Sequence, residues 1–387
     1  MARAERDSIF LPVVRHSRKM TIRRQLKALF QKHFFSFMIM VYYSKEFVRM
    51  KFGNTGVRFI GMRGKAVMKI KICFIMLFFI ILAPSAFSAS KKADAEKLKQ
   101  QGNELYRKGD YDGAIDMYLK SVTADSTYSE SYNNLGLAYY EKGDYSKSID
   151  NLRWAVKLDR KFSKAFNALG NAYMAVAEYD SAKVSYIRSI ALDSKVSQKH
   201  VNLGNAMYGL EDIEGAVAEY RKAISIDRQN AYAYNNLGIA LQKKGDLKEA
   251  EKSYNQAIQL NGEYSAAFSN LGSLIFDEGR GDPVKAVKYL NKASELNPKD
   301  ASTLYNLGLA LIKGGDIQNA ITTLTKAAEL SPRDADIQYA LGMAYTANKS
   351  LKEAEKRFQE ALKLNPAYKD AQSALDKFPK KPEKSSQ

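Results

Sequence analysis

Asparagine stands at 134, 202, 236, 270 and 306, at one 34-residue step or a multiple of it, with 36 residues for the last step. A carboxamide donates and accepts at once, so a row of them can pair with successive peptide groups of an extended chain, whatever its side chains. Gln100, Ala168 and Ala340 occupy the remaining steps of the row. A competing reading gives the same asparagines only local hydrogen bonding. Tyr106 and Tyr140 recur with the same step, either as apolar contacts for a ligand or as packing between neighbouring helices. This is the chemistry of holding a partner.

Catalytic and metal-binding histidine constellations are excluded by count. The chain has three histidines, of which His16 and His33 precede the repeats and only His200 lies within them, and its one cysteine, Cys73, also precedes them, so the array can form no histidine or thiolate metal set. Neither a phosphate-cradling glycine loop nor a nucleophile–base pair is present, so no cofactor and no enzymatic activity are expected.

The elements that must carry the asparagine row are written in glycines. Gly102, Gly136, Gly170, Gly204, Gly238, Gly272, Gly308 and Gly342 share its step, each inside an apolar helical pattern. Repeats therefore run 95–128, 129–162, 163–196, 197–230, 231–264, 265–300, 301–334 and 335–368. At about 100° per residue, places four, seven, eight and eleven of each repeat share one sector of a first helix. Places twenty, twenty-four and twenty-seven share a face of a second. Glycine at eight and a small residue at twenty let the backbones approach, beside large residues such as Tyr132, Phe166, Tyr234 and Phe268. Places two, six, nine and thirteen lie nearly opposite, which leaves the asparagines at place six free to meet something else. Lys108-Gly109-Asp110 and its relatives supply a left-handed residue and a cap between helices, and Pro283 is expected to open the second helix of repeat six after a longer turn. Trp154 is read as packing, and His200 as a core-edge substitute for an aromatic.

The pattern resembles the tetratricopeptide repeat. Repeat five carries it as Tyr234, Leu237-Gly238, Leu241, Ala250, Tyr254 and Ala257, and Pro298, Pro332 and Pro366 close repeats six to eight. The resemblance implies an all-α fold, a right-handed α-solenoid superhelix of eight helix–turn–helix units, with first helices lining a concave groove. Segment 369–378 reads as a capping helix, and 379–387 as a disordered tail. The asparagine row is similar to the ladder by which the superhelix of O-linked N-acetylglucosamine transferases holds substrate backbones. A second implication is the carboxylate clamp of tetratricopeptide co-chaperones, whose places fall on Lys99, Asn103, Asn134 and Lys164; its expected arginine is replaced by Ala168.

The chain has 387 residues and a net charge of +18, but residues 1–90 hold 17 Lys/Arg against 3 Asp/Glu, and the remainder is nearly neutral. The array thus lacks the basic stripe that a nucleic acid backbone requires. Lys69 and Lys71, an apolar run over 72–83 and the small residues Ala86 and Ser88 resemble a secretory signal peptide at 68–88. Twelve apolar residues reach about 18 Å, short of a bilayer core of about 30 Å, so cleavage after Ser88 is expected ahead of retention as an anchor. Residues 1–67 are either a non-native or disordered extension preceding a start at Met68, or a genuine cytoplasmic segment.

The expected protein is a non-enzymatic scaffold, exported and periplasmic in a Gram-negative cell, that binds a peptide segment or helix of another protein in the groove. The alternative is an assembly factor anchored to the inner membrane, or a recruiting subunit of an envelope enzyme complex.

Overall fold

The computed structural model describes residues 49–53, 56–60, 91–277 and 282–377. The chain falls into two units, Met1–Ser90 and Lys91–Gln387. In the first, β1 (Arg49–Gly53) pairs antiparallel with β2 (Gly56–Ile60), from Arg49 opposite Ile60 to Gly53 opposite Gly56. Residues 1–67 show no strand periodicity in sequence, because five residues are too few to reveal an alternation. The signal segment 68–88 and the tail beyond Lys377 lie outside the described residues. Among the described residues no helix is long and apolar enough to cross a membrane.

The second unit is all helical. The first repeat pairs α1 (91–107) with α2 (Tyr111–Ala124), and the second pairs α3 (Ser129–Glu141) with α4 (Tyr145–Leu158). There follow α5 (Ser163–Ala175) with α6 (Tyr179–Leu192), α7 (Ser197–Gly209) with α8 (Ile213–Ile226), and α9 (Ala231–Lys244) with α10 (Leu247–Leu260). The last three pairs are α11 (Ser265–Asp277) with α12 (Pro283–Leu296), α13 (Ala301–Gly314) with α14 (Ile317–Leu330), and α15 (Ala335–Ala347) with α16 (Leu351–Leu364). A final helix, α17 (Lys369–Asp376), packs on α16.

Helix ends follow from side chains that satisfy the first free backbone N–H groups. Asp110, Asp144, Asp212, Asp282 and Asp316 each accept from the backbone N–H three residues on, so five second helices begin at an aspartate. Pro283 sits in the first turn of α12, where its missing N–H costs nothing. Gly109, Gly143, Gly245 and Gly315 take positive φ in the intervening turns. Ala177, Glu211 and Lys349 hold the same conformation with side chains, at φ 57, 61 and 62.

Within each pair the glycine at place eight lies directly against the side chain at place twenty-four. A Cβ on Gly102, Gly170, Gly204 or Gly238 would come within 2.4 to 2.6 Å of a tyrosine Cε1, that of Tyr118, Tyr186, Tyr220 or Tyr254. In the other repeats the same position meets Leu152, Leu290, Leu324 and Phe358. Ala114, Ala182, Ala216, Ala250, Ala286, Ala320 and Ala354, at place twenty, are wholly buried. The glycine thus makes room for a ring or a leucine, and the helical propensity it forfeits, about 1 kcal/mol, is offset by that packing.

Between repeats, each second helix packs on the next first helix, and from α3 to α15 each first helix also touches the next first helix. Among the described residues the second helices of successive repeats form no such row. The first helices are therefore the closely spaced, inner side of the curve. Trp154 does not pack in the core: it is 47% exposed on α4, stacked on Tyr132 with Lys157 over its ring. Ala155 faces inward, and the preceding residue, one 100° step away, cannot share that face.

Candidate functional site

The five asparagines of the row lie half-buried on the inner helices, each tied to the preceding repeat. The Asn134 amide donates to Asn103 Oδ1 at 2.8 Å, that of Asn236 to Asn205 Oδ1 at 3.0 Å, and that of Asn202 to Asn171 Oδ1 at 3.3 Å and Asn167 Oδ1 at 3.2 Å. Asn306 donates to Ser273 Oγ at 2.9 Å, and Asn270 to Asn235 Oδ1 at 2.9 Å. The row therefore serves the seams between repeats as well as the inner surface. A primary amide has two N–H bonds and its oxygen two lone pairs, so each carboxamide keeps capacity for a ligand.

The acceptors in these seams belong to a larger arrangement. Asn103, Asn171 and Asn205 stand at place nine, and each also accepts a tyrosine hydroxyl at 2.8 Å, from Tyr118, Tyr186 and Tyr220 in turn. The tyrosine that fills the space beside the place-eight glycine thereby fixes the carboxamide to which the next repeat docks. Burial pushes the Tyr118 hydroxyl up to about 12, against the opposing pull of Asn134 and Arg107, and it pushes Tyr186 and Tyr220 up as well. The donors stay protonated. Where place nine is Leu137, Leu309 or Met343, place twenty-four is Leu152, Leu324 or Phe358, which have no hydroxyl to satisfy; repeat five, with Ile239 and Tyr254, departs from this pairing.

Lys99 is not a free cation on the surface. It is 8% exposed, its ammonium bonded to Tyr128 Oη at 2.8 Å and to the Glu130 carboxylate, with Glu96 at 3.1 Å. Burial draws its pKa down, but the hydrogen bonds of Glu130 and Glu96 outweigh this and raise it. Asn103 is occupied by Tyr118 and Asn134, while Lys164 is exposed. The three side chains thus stand in different surroundings, and a carboxylate ligand would compete with Glu96 and Glu130 for Lys99. Tyr106 packs edge-on against Tyr111 at 5.3 Å and bonds Glu141 at 3.2 Å, and burial followed by that carboxylate pushes its hydroxyl up. Tyr140 packs the same way on Tyr145, at 5.4 Å.

Two features escape sequence reasoning. His200 and Glu219 are both 7% exposed and joined at 2.7 Å, with Lys222 on the other carboxylate oxygen at 2.6 Å. The histidine does stand at place four among the aromatics, but its partner is polar. The second is a cavity of about 350 Å³ lined by Tyr208, Ile239, Gln242, Lys243, Tyr254 and Asn270, from the inner helices α7, α9 and α11 and from α10. Among the described residues no group of acidic, histidine or cysteine side chains is arranged to hold a metal.

Comparison with known proteins agrees with this architecture. A family model described as the cilia and flagella-associated protein 70 C-terminal domain matches residues 162–377, and one described as TPR repeat matches 102–143 and 136–176. No curated protein matches the chain. Among solved structures, pilF of Pseudomonas aeruginosa is 23% identical with a TM-score of 0.51, covering 57% of this chain and 99% of its own. The APC/C hetero-tetramer Cut9-Hcn1 is 20% identical with a TM-score of 0.54, covering 72% of this chain, which spans 55% of it. Both share the fold. YrrB, described as a TPR protein with an unusual peptide-binding site, is 25% identical with a TM-score of 0.43 over 49% of this chain and 97% of its own. An all-α solenoid built on the glycine-to-place-twenty-four seam, matched over more than half its length, belongs to the tetratricopeptide-repeat family described by the cilia and flagella-associated protein 70 C-terminal domain.

Proposed function

We propose that the array is a non-enzymatic scaffold that holds an extended segment or helix of another protein along its inner face. Tetratricopeptide arrays are interaction scaffolds, and the observation that carries the finer reading is the row Asn134, Asn202, Asn236, Asn270 and Asn306. Four of these amides are each anchored by one hydrogen bond to the neighbouring repeat and retain a second N–H, whereas Asn202 spends both of its N–H bonds on Asn167 and Asn171 and keeps only acceptor capacity on its oxygen. Donors held in fixed positions by their own seams lose little freedom on binding, which favours a peptide backbone laid across them. Lys164, Tyr106 and Tyr140 flank the row, with Lys99 and Asn103 supporting its first step.

The reading includes export. The segment 68–88 directs the array out of the cytoplasm, into the periplasm of a Gram-negative cell, and is removed after Ser88. Sequencing the N-terminus of the mature protein checks this, with Ala89 the expected first residue; a retained 72–83 would favour the anchored form.

Site-specific photo-crosslinking tests the groove. A benzophenone side chain at Tyr232, exposed at place two of α9, is expected to capture a protein partner in the envelope fraction. The same probe at Val184, exposed on α6, is expected to capture none. Changing Asn202, Asn236 and Asn270 together to Ala should abolish the Tyr232 product. Capture from Val184 alone would overturn the reading.

A further inference from the structure

The regular arrangement of the inner face is interrupted once among the tyrosine-bearing repeats, and the 350 Å³ cavity lies at that interruption. Repeats one, three and four carry asparagine at place nine to accept the place-twenty-four tyrosine, whereas repeat five carries Ile239, which accepts nothing. Tyr254 turns instead to Gln242 Oε1, at 2.9 Å, and Asn270 turns to Asn235. Both displaced partners face the cavity.

Their orientations are fixed by what they already bond. Burial keeps the Tyr254 hydroxyl protonated by pushing its pKa up, so it donates to Gln242 Oε1 and leaves the Gln242 NH2 group as the free donor. Asn235, 3% exposed, spends its amide on Asn236 Oδ1 at 3.2 Å, and Asn236 spends its own on Asn205. Only Asn235 Oδ1 is then left for Asn270, which must present its amide there. Asn270 Oδ1 has no partner among the described residues. The wall thus offers donors, from the Gln242 NH2 group and the second Asn270 N–H, and one acceptor, Asn270 Oδ1, beside the Tyr208 ring and the Ile239 side chain. Lys243 adds no free charge, because its ammonium is paired with Glu211 over the Tyr208 ring.

We propose that this cavity receives the primary carboxamide of an asparagine or glutamine side chain from the bound segment. The inference rests on the groove reading above. A trans peptide group directs its N–H and C=O to opposite sides and cannot meet a donor and an acceptor on one wall. A primary carboxamide carries an acceptor and a donor side by side at its end, and its aliphatic stem suits Ile239 and Tyr208. A carboxylate has no hydrogen for Asn270, and an alkyl chain leaves both polar groups unpaired.

Titration of the 15N-labelled full-length protein with small probes tests the cavity without any partner. N-acetylglutamine methylamide is expected to shift the side-chain amide signals of Gln242 and Asn270 in a saturable manner. The glutamate and norleucine analogues should bind at least about tenfold more weakly, because each leaves a polar group of the wall unpaired. Gln242→Met, which keeps the stem and removes the amide, should erase the preference, with changes in the unliganded spectrum confined to Tyr254 and its immediate neighbours. Asn270→Ala should do the same from the other side. Equal shifts from norleucine, stronger shifts from glutamate, or none from glutamine would each overturn the assignment. Because these probes need no segment laid along the groove, a failure here is separable from a failure of the Tyr232 crosslink.

Discussion

The Asn270 amide donates to the buried Oδ1 of Asn235, 35 residues back, and this bond has a counterpart that is missing elsewhere. Asn167 receives the same donation from Asn202. Asn133 occupies the equivalent place in repeat two, but the residue 35 further on is Ala168, and Asn133 Oδ1 is buried without a partner.

Ala168→Asn should therefore stabilise the array. Supplying a donor to a buried carbonyl is worth about 1 kcal/mol, of which the lower helix propensity of asparagine removes about half, leaving a gain of about 0.5 kcal/mol. Urea unfolding of both proteins checks this, and a variant less stable than the parent would contradict the seam geometry.

Gly238→Ala, which helix propensity alone would favour, should instead cost about 1–3 kcal/mol. The added Cβ would stand 2.5 Å from Tyr254 Cε1, and that ring is wholly buried and tied to Gln242. Because each repeat touches only its neighbours, hydrogen exchange should accelerate in α7 to α12 and stay unchanged in α1 to α4.

Lys349→Gly should raise stability by about 0.5–1 kcal/mol. Lys349 holds φ 62 in the turn between α15 and α16, where Gly109, Gly143, Gly245 and Gly315 stand in other repeats. Thermal unfolding reads the gain. Glu211→Gly is a less clean comparison, since it also removes the partner of Lys243.

Stability should fall at high pH. An unfolded tyrosine loses its proton near pH 10, whereas buried Tyr118 keeps it to about 12. Below pH 10 both states are protonated and the contribution is complete; between 10 and 12 only the unfolded chain ionises, and the folded state loses ground. A shift of that size is worth about 2–3 kcal/mol. Tyr118→Phe should flatten the alkaline limb of a pH-dependent denaturation series, and an unchanged limb would refute the burial of this hydroxyl.

The helix pairs were legible because Gly238 and its equivalents carry a fixed period, and a period needs no knowledge of partners. The asparagine row was equally visible, but its double use was not. A bond such as that from Asn236 to Asn205 depends on which faces of two successive repeats meet, and spacing within one repeat does not define that. One signal lay unread in the sequence: asparagine at place nine coincides with tyrosine at place twenty-four in repeats one, three and four, and leucine there with leucine in repeats two and seven. The cavity could not be read from any single residue, since it arises from Ile239 breaking a pattern that its neighbours keep. The Lys99 environment was hidden because Glu96, Tyr128 and Glu130 converge on it from two repeats.

The inner helices touch along a continuous line while the outer ones do not, and this gives the array the mechanics of a fan hinged at its narrow edge. Opening or closing it would move the outer helices most and the carboxamide row, which lies on the hinge side and is bonded across the seams, least. A strand laid along that edge would thus meet a nearly constant spacing while the curvature of the coil changes around it.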